Sequence, residues 1–153
     1  MAISFSDIIG AGLASNVIGA IWYGPLFGEI FIGAMNKEKK STTWAEESME
    51  RKGFVKLLLM ELFLGTLQAW ALSHGDMSNY SSAISTGLWM TICFQIPATI
   101  SSSTWEDRPV IVTVMNVAKN ALVLVLQAAL LCYLSSMDKA PCCAGTDTEV
   151  LEG

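Results

Sequence analysis

The run VIVTVMNVAKNALVLVLQAALLCYLS, residues 110 to 135, carries a single charged side chain, Lys119. As a helix rising 1.5 Å per residue it would reach roughly 39 Å, more than the ~30 Å hydrocarbon thickness of a bilayer. A helix of that length on a soluble domain would show one polar face, and this run is apolar nearly all round. It is read as a transmembrane helix. Three further runs have the same character: Asp7 to Phe27 with an apolar continuation to Met35, Phe54 to Ser73, and Ala83 to Ser101. Backbone groups in hydrocarbon must pair within their own segment, so each is expected to be helical. The fold class is therefore an all-α membrane protein, a four-transmembrane-helix bundle over residues 1–137 with a polar, disordered tail over 138–153.

Composition agrees. Of 153 residues 52% are hydrophobic and 15% charged, against about 25% charged in a soluble domain. The net charge of −5 argues against nucleic acid as a partner, which needs a basic footprint. Met1 to Ser6 lack Lys and Arg, so the first run is expected to be a retained helix and not a cleaved leader. Cys93 and Cys132 lie in apolar runs and read as small buried hydrophobes. Cys142 and Cys143 are adjacent in the tail, and the chain has one histidine, His74. No second Cys/His pair completes a metal site, and no cofactor is expected. His74-Gly75-Asp76 has no nucleophile or second base in reach, so catalysis is not expected there.

The connections are unequal. Asn36 to Gly53 holds Lys37, Lys39, Lys40, Arg51 and Lys52 among four glutamates. Thr43 with Glu46 has the capping-box spacing, and a short surface helix is expected from Trp44 to Lys52, with Trp44 at headgroup level. The loop between the third and fourth runs adds Arg108. Six Lys/Arg thus fall on one side, and the other side has only Lys139. The charge bias puts the long loop in the cytoplasm, stroma or matrix and both termini opposite. Palmitoylation of Cys142 and Cys143 would need the reverse arrangement; the charge count is given more weight.

Within the apolar runs, small or polar residues recur at helical spacing. Ala11, Ser15 and Gly19 form a small-residue stripe suited to close helix packing, with Asn16 beside it. Glu61, Gly65 and Gln68 share a face; Thr91 and Gln95 share another, ahead of an expected kink at Pro97; Asn116, Lys119, Asn120 and Gln127 share a third. Glu61 lies roughly 10 Å and Lys119 roughly 13 Å in from the same side. Charges at such depth face the bundle interior. A buried polar cluster of Glu61, Lys119, Gln95 and Asn116 is expected, without a break at the centre of any helix. It reads first as an internal ion pair fixing helix register, and second as an ion pathway.

Two motifs remain. Trp22-Tyr23-Gly24-Pro25-Leu26-Phe27-Gly28 closes the first run, with Trp22 and Tyr23 as interface anchors and Gly24-Pro25 as a kink. Pro25 to Met35 then becomes a bent extension along the membrane surface. Trp105-Glu106-Asp107-Arg108-Pro109 precedes the last run. Together, with Asn116 at the matching distance, these motifs resemble a family of small bacterial and fungal membrane proteins known as domain of unknown function 1761. The resemblance covers about Ile8 to Leu134. It implies a four-helix membrane protein and no activity. Where that family often continues from the Asn in a pattern like Asn-Ala-Gly-Tyr-His, this chain has Ala118, Lys119 and Asn120, so a role resting on the His has no counterpart residue here.

Small size and minimal loops point to a non-enzymatic accessory or structural subunit. Its expected partners are membrane lipids and other membrane-protein subunits, or further copies of itself. The competing expectation is a small oligomeric transporter or channel using Glu61 and Lys119.

Overall fold

The computed structural model describes residues 3–137; the tail with Lys139, Cys142 and Cys143 lies outside them. All regular structure among the described residues is helical: α1 (Phe5–Ile21), α2 (Gly28–Lys39), α3 (Trp44–Lys52), α4 (Phe54–Ser73), α5 (Tyr80–Met90), α6 (Ile96–Trp105) and α7 (Val110–Met137). Two π-helical segments, Trp22–Leu26 and Thr91–Gln95, continue α1 and join α5 to α6. Four stretches are long and apolar enough to cross a bilayer: Phe5–Leu26, Phe54–Ser73, Tyr80–Trp105 and Val110–Met137. The chain is a multi-pass, all-α membrane protein. Its outer faces are those of a lipid-solvated bundle, with Leu59 and Phe63 59% exposed and Trp89 and Phe94 67% exposed. Cys93 is on that surface too, whereas Cys132 is buried.

Both π segments accompany a proline. Pro25 lies inside the first, and Pro97 follows the second. A proline lacks the N–H for its i−4 bond and its ring crowds that carbonyl; widening the turn to i−5 bonding relieves the clash. Phe27 N–H accordingly bonds Trp22 O at 3.0 Å, and Ile96 N–H bonds Thr91 O. Span three is therefore modified at Thr91–Gln95, near its middle, where the sequence reading expected no central break and put the kink at Pro97. The first span ends at Phe27, whose φ of −129° and ψ of 9° leave the helix before α2 resumes.

Local signals set the ends. Ser4 N–H donates to Asp7 Oδ2 at 3.1 Å at the start of α1. The capping box expected of Thr43 and Glu46 is not formed: the Thr43 N–H donates to Ser41 Oγ at 3.3 Å, and its hydroxyl donates to Glu47 Oε1 at 2.5 Å. Gly53 turns the chain into α4 with φ +77°, a left-handed conformation that suits glycine. In the turn before α5, Asp76 Oδ1 accepts Ser78 N–H at 3.0 Å, which holds the Asp76 carboxyl below the usual carboxylate range. Asn79 caps α5 by accepting Ser82 N–H at 2.9 Å. Asn79→Ala is expected to cost about 1 kcal/mol, the usual worth of an N-cap, read as a lowered unfolding midpoint in mild detergent. No measurable change would mean that tertiary packing alone sets the start of α5.

α7 packs against α1, α4 and α5, and α1 packs closely on α4. The α1–α4 crossing is at Gly12 and Gly65. A Cβ on Gly12 would lie 2.9 Å from Thr66 Cα, and one on Gly65 would lie 3.0 Å from Gly12 O and against Ser15 Oγ. Gly19, expected in the same stripe, has nothing near it; the seam runs through Ala11, Gly12 and Ser15 instead. Gln127, completely buried on α7, closes the crossing: its Nε2 donates to Ala11 O at 3.1 Å and Gly65 O at 3.0 Å. Beyond it, toward the α4–α5 loop, the interior is apolar, with Ile8, Ala69, Leu72, Ala128 and Leu131 in one cluster.

Candidate functional site

The other end of the bundle is polar. An open cleft of about 360 Å³ lies there, floored by Asn116, Lys119 and Asn120 of α7. Glu61 of α4 lines one part of it; Thr99 and Ser102 of α6 line another. Tyr23, from the first π segment, and Phe31 of α2 complete it, with Arg108 of the α6–α7 turn. The volume falls within the ~300–1,000 Å³ of small-molecule sites.

Each side chain is put there by its local backbone. Tyr23 sits in the widened turn forced by Pro25. Its hydroxyl donates to Asn116 Oδ1, and its ring packs on Phe31 with centroids 4.9 Å apart. Phe31 in turn meets Trp44 edge-on at 6.3 Å. Arg108 is set by a helix-ending turn. Asp107 takes a left-handed φ of 52°, and Arg108 N–H bonds Ser103 O at 3.0 Å, the 6→1 bond of a Schellman motif. The Arg108 Nε then donates to Glu106 Oε2 at 2.5 Å. Asn120 Nδ2 donates to Gln95 Oε1 at 3.3 Å and Thr99 Oγ1 at 3.5 Å, tying α7 to span three.

The two intramembrane charges line one cleft without pairing. No ion pair within 4.0 Å joins Glu61 to Lys119 among the described residues; the two such pairs are Lys39–Glu38 and Arg108–Glu106. The half-buried Lys119 ammonium lies 5.9 Å over the Tyr23 ring, a cation–π distance. The expected Glu61–Lys119 ion pair is not formed, and Lys119 faces the Tyr23 ring instead. Of the four residues expected to form a buried cluster, Glu61, Asn116 and Lys119 line the cleft, with Glu61 exposed and Asn116 and Lys119 half-buried, because the cleft is open. Gln95 does not, and reaches it only through Asn120.

Other motif residues stand apart. Trp105 is 88% exposed and Gly24 and Pro25 are exposed; Trp22 packs on Phe27 at 4.5 Å. Pro109 starts the last span, accepting Val112 N–H at 3.0 Å. His74 is at the opposite end, edge-on to Trp70 at 5.0 Å. No group of three or more metal-ligating side chains exists among the described residues.

Tyr23 and Arg108 come from the two sequence motifs, far apart in the chain, and they meet with Asn116 at one cleft. A family described as protein of unknown function, DUF1761, matches residues 6–132. The chain belongs to the DUF1761 family. No curated protein and no solved structure matches it. In this DUF1761 protein Lys119 and Asn120, which depart from the pattern that the resemblance implies, also line the cleft.

Proposed function

We propose that this DUF1761 protein is a non-catalytic membrane component, an accessory subunit that acts by binding lipid or a larger membrane assembly. The observation that carries the reading is the separation of polar and apolar halves. Tyr23, Glu61, Arg108, Asn116 and Lys119 gather at one end. About 12 Å deeper along α7, Gln127 and the Gly12–Gly65 crossing close the bundle, and an apolar cluster fills the rest. A blind cleft suits a binding site better than a path across the membrane. Transport is the second reading, and the unpaired Glu61 and Lys119 are what favour it. A catalytic reading has less support, since His74 lies at the far end.

The Lys/Arg bias supports placing the cleft end, with α2, α3 and Arg108, on the cytoplasmic, stromal or matrix side. Labelling of Cys142 and Cys143 from that same side would reverse the assignment.

Glu61→Gln separates the readings. The accessory reading expects a stoichiometric membrane complex after mild extraction from cells, and no proton- or ion-dependent flux in liposomes for either wild type or variant. A flux that Glu61→Gln abolishes while assembly stays intact would sink it.

A further inference from the structure

We infer that the cleft binds a zwitterion, an anionic group held by Lys119 and Asn116 together with an ammonium held by Glu61, as in the headgroup of an aminophospholipid. The inference rests on the binding reading above and names its ligand class. Opposite charges inside a membrane protein ordinarily neutralise each other. Here they share one cleft of about 360 Å³ and are not paired. Glu61 is exposed at the cleft and Lys119 half-buried; charges within apolar spans are costly alone, and a ligand carrying both opposite charges satisfies the two at once. A simple anion would leave the Glu61 carboxylate facing it; a simple cation would leave Lys119 so.

The surrounding groups divide in the same way. On the anion side, Asn116 has its Oδ1 occupied by the Tyr23 hydroxyl, so its Nδ2 is left to donate into the cleft beside the Lys119 ammonium. On the cation side, the Glu61 carboxylate accepts from an ammonium, and Phe31, which also lines the cleft, adds an aromatic ring that favours cations. Arg108 also lines the cleft, but its charge is balanced by Glu106, which accepts from its Nε. The position favours a lipid source. Glu61 is roughly 10 Å along its span, within an apolar helix long enough to cross a bilayer, so the cleft reaches the depth of a lipid headgroup and beyond.

Native mass spectrometry of the full chain, purified in mild detergent, tests this with added phosphatidylethanolamine, phosphatidylglycerol and free phosphoethanolamine. Wild type is expected to hold phosphatidylethanolamine at least tenfold more tightly than phosphatidylglycerol. Glu61→Gln and Lys119→Met are each expected to remove roughly tenfold of that affinity, with monodisperse elution verifying the fold. Competition by free phosphoethanolamine, with the same sensitivity to both variants, supports the zwitterion and admits a soluble source. Failure to compete, with the lipid still preferred, supports the lipid source. Equal binding of both lipids, or sensitivity to Lys119→Met alone, overturns the inference in favour of a simple anion site. Equal destabilisation by both variants with and without lipid overturns it too, because the charges would then serve each other. A complex that still co-purifies in those cases leaves the accessory reading standing.

Discussion

Gln127→Glu is expected to lower stability in mild detergent by about 3–5 kcal/mol at neutral pH, the usual cost of an uncompensated buried charge, while Gln127→Leu costs about 1–2 kcal/mol. Both variants remove the amide that donates to Ala11 O and Gly65 O. They differ in what replaces it. Leucine loses two interhelical hydrogen bonds, each worth about 0.6 kcal/mol and at most ~1.7 kcal/mol inside a membrane. It also removes Gln127 Oε1, which has no hydrogen-bond partner. The carboxylate has no donor to offer and would face two carbonyl oxygens in a completely buried position. Equilibrium unfolding of both variants beside wild type reads the difference. If the Glu and Leu variants lose the same amount, Gln127 is a packing residue and its amide is incidental to the crossing.

Gly65→Leu is expected to separate α1 from α4. Inserting bulk into a packed core commonly costs 1–3 kcal/mol. At Gly65 the obstruction is backbone, Gly12 O at 3.0 Å, together with Ser15 Oγ, so relaxation of one side chain cannot absorb it and the loss should lie at or above the top of that range. Gly65→Ala is the graded test. Combined with Ser15→Ala it should recover part of the lost stability, because the hydroxyl contact goes while the Gly12 contact stays. Absence of any recovery in the double variant would show that the backbone approach alone sets the crossing. Proteolysis at the α3–α4 junction would report the separation directly.

Much of the architecture was legible in the sequence for a simple reason. Length and hydropathy mark a membrane span without knowledge of its neighbours, and the Lys119 run shows this well. Rotation about each helix axis is harder to read. The spans are apolar on every side, so periodicity does not distinguish the packed face from the lipid face. Ala11 and Ser15 were visible as small residues, yet the seam continues through Gly12 and not Gly19. Depth, by contrast, follows from a constant rise, which is why Glu61, Asn116 and Lys119 were expected at one level and do line one cleft. Gln95, the last residue of the π segment Thr91–Gln95, stands one hydrogen bond behind the cleft, accepting from Asn120 Nδ2. Their motifs mark Tyr23 and Arg108 in the sequence, but nothing in helical spacing joins them to the cluster. The available signal is the pairing of their motifs with Asn116, and two local backbone features, the widened π turn around Pro25 and the left-handed turn at Asp107, bring them together.

The widened turn at Trp22–Leu26 has an evolutionary side. A π turn is what an α-helix becomes when it gains one residue, and here it runs straight into the break at Phe27, beyond which α2 takes a new direction. The glycine seam of α1 and the cleft wall contributed by Tyr23 and α2 are thus set on either side of an insertion point. Substitutions or single-residue deletions there can re-aim one without disturbing the other. A scaffold built this way can keep its glycine seam while the side chains of the cleft wall change.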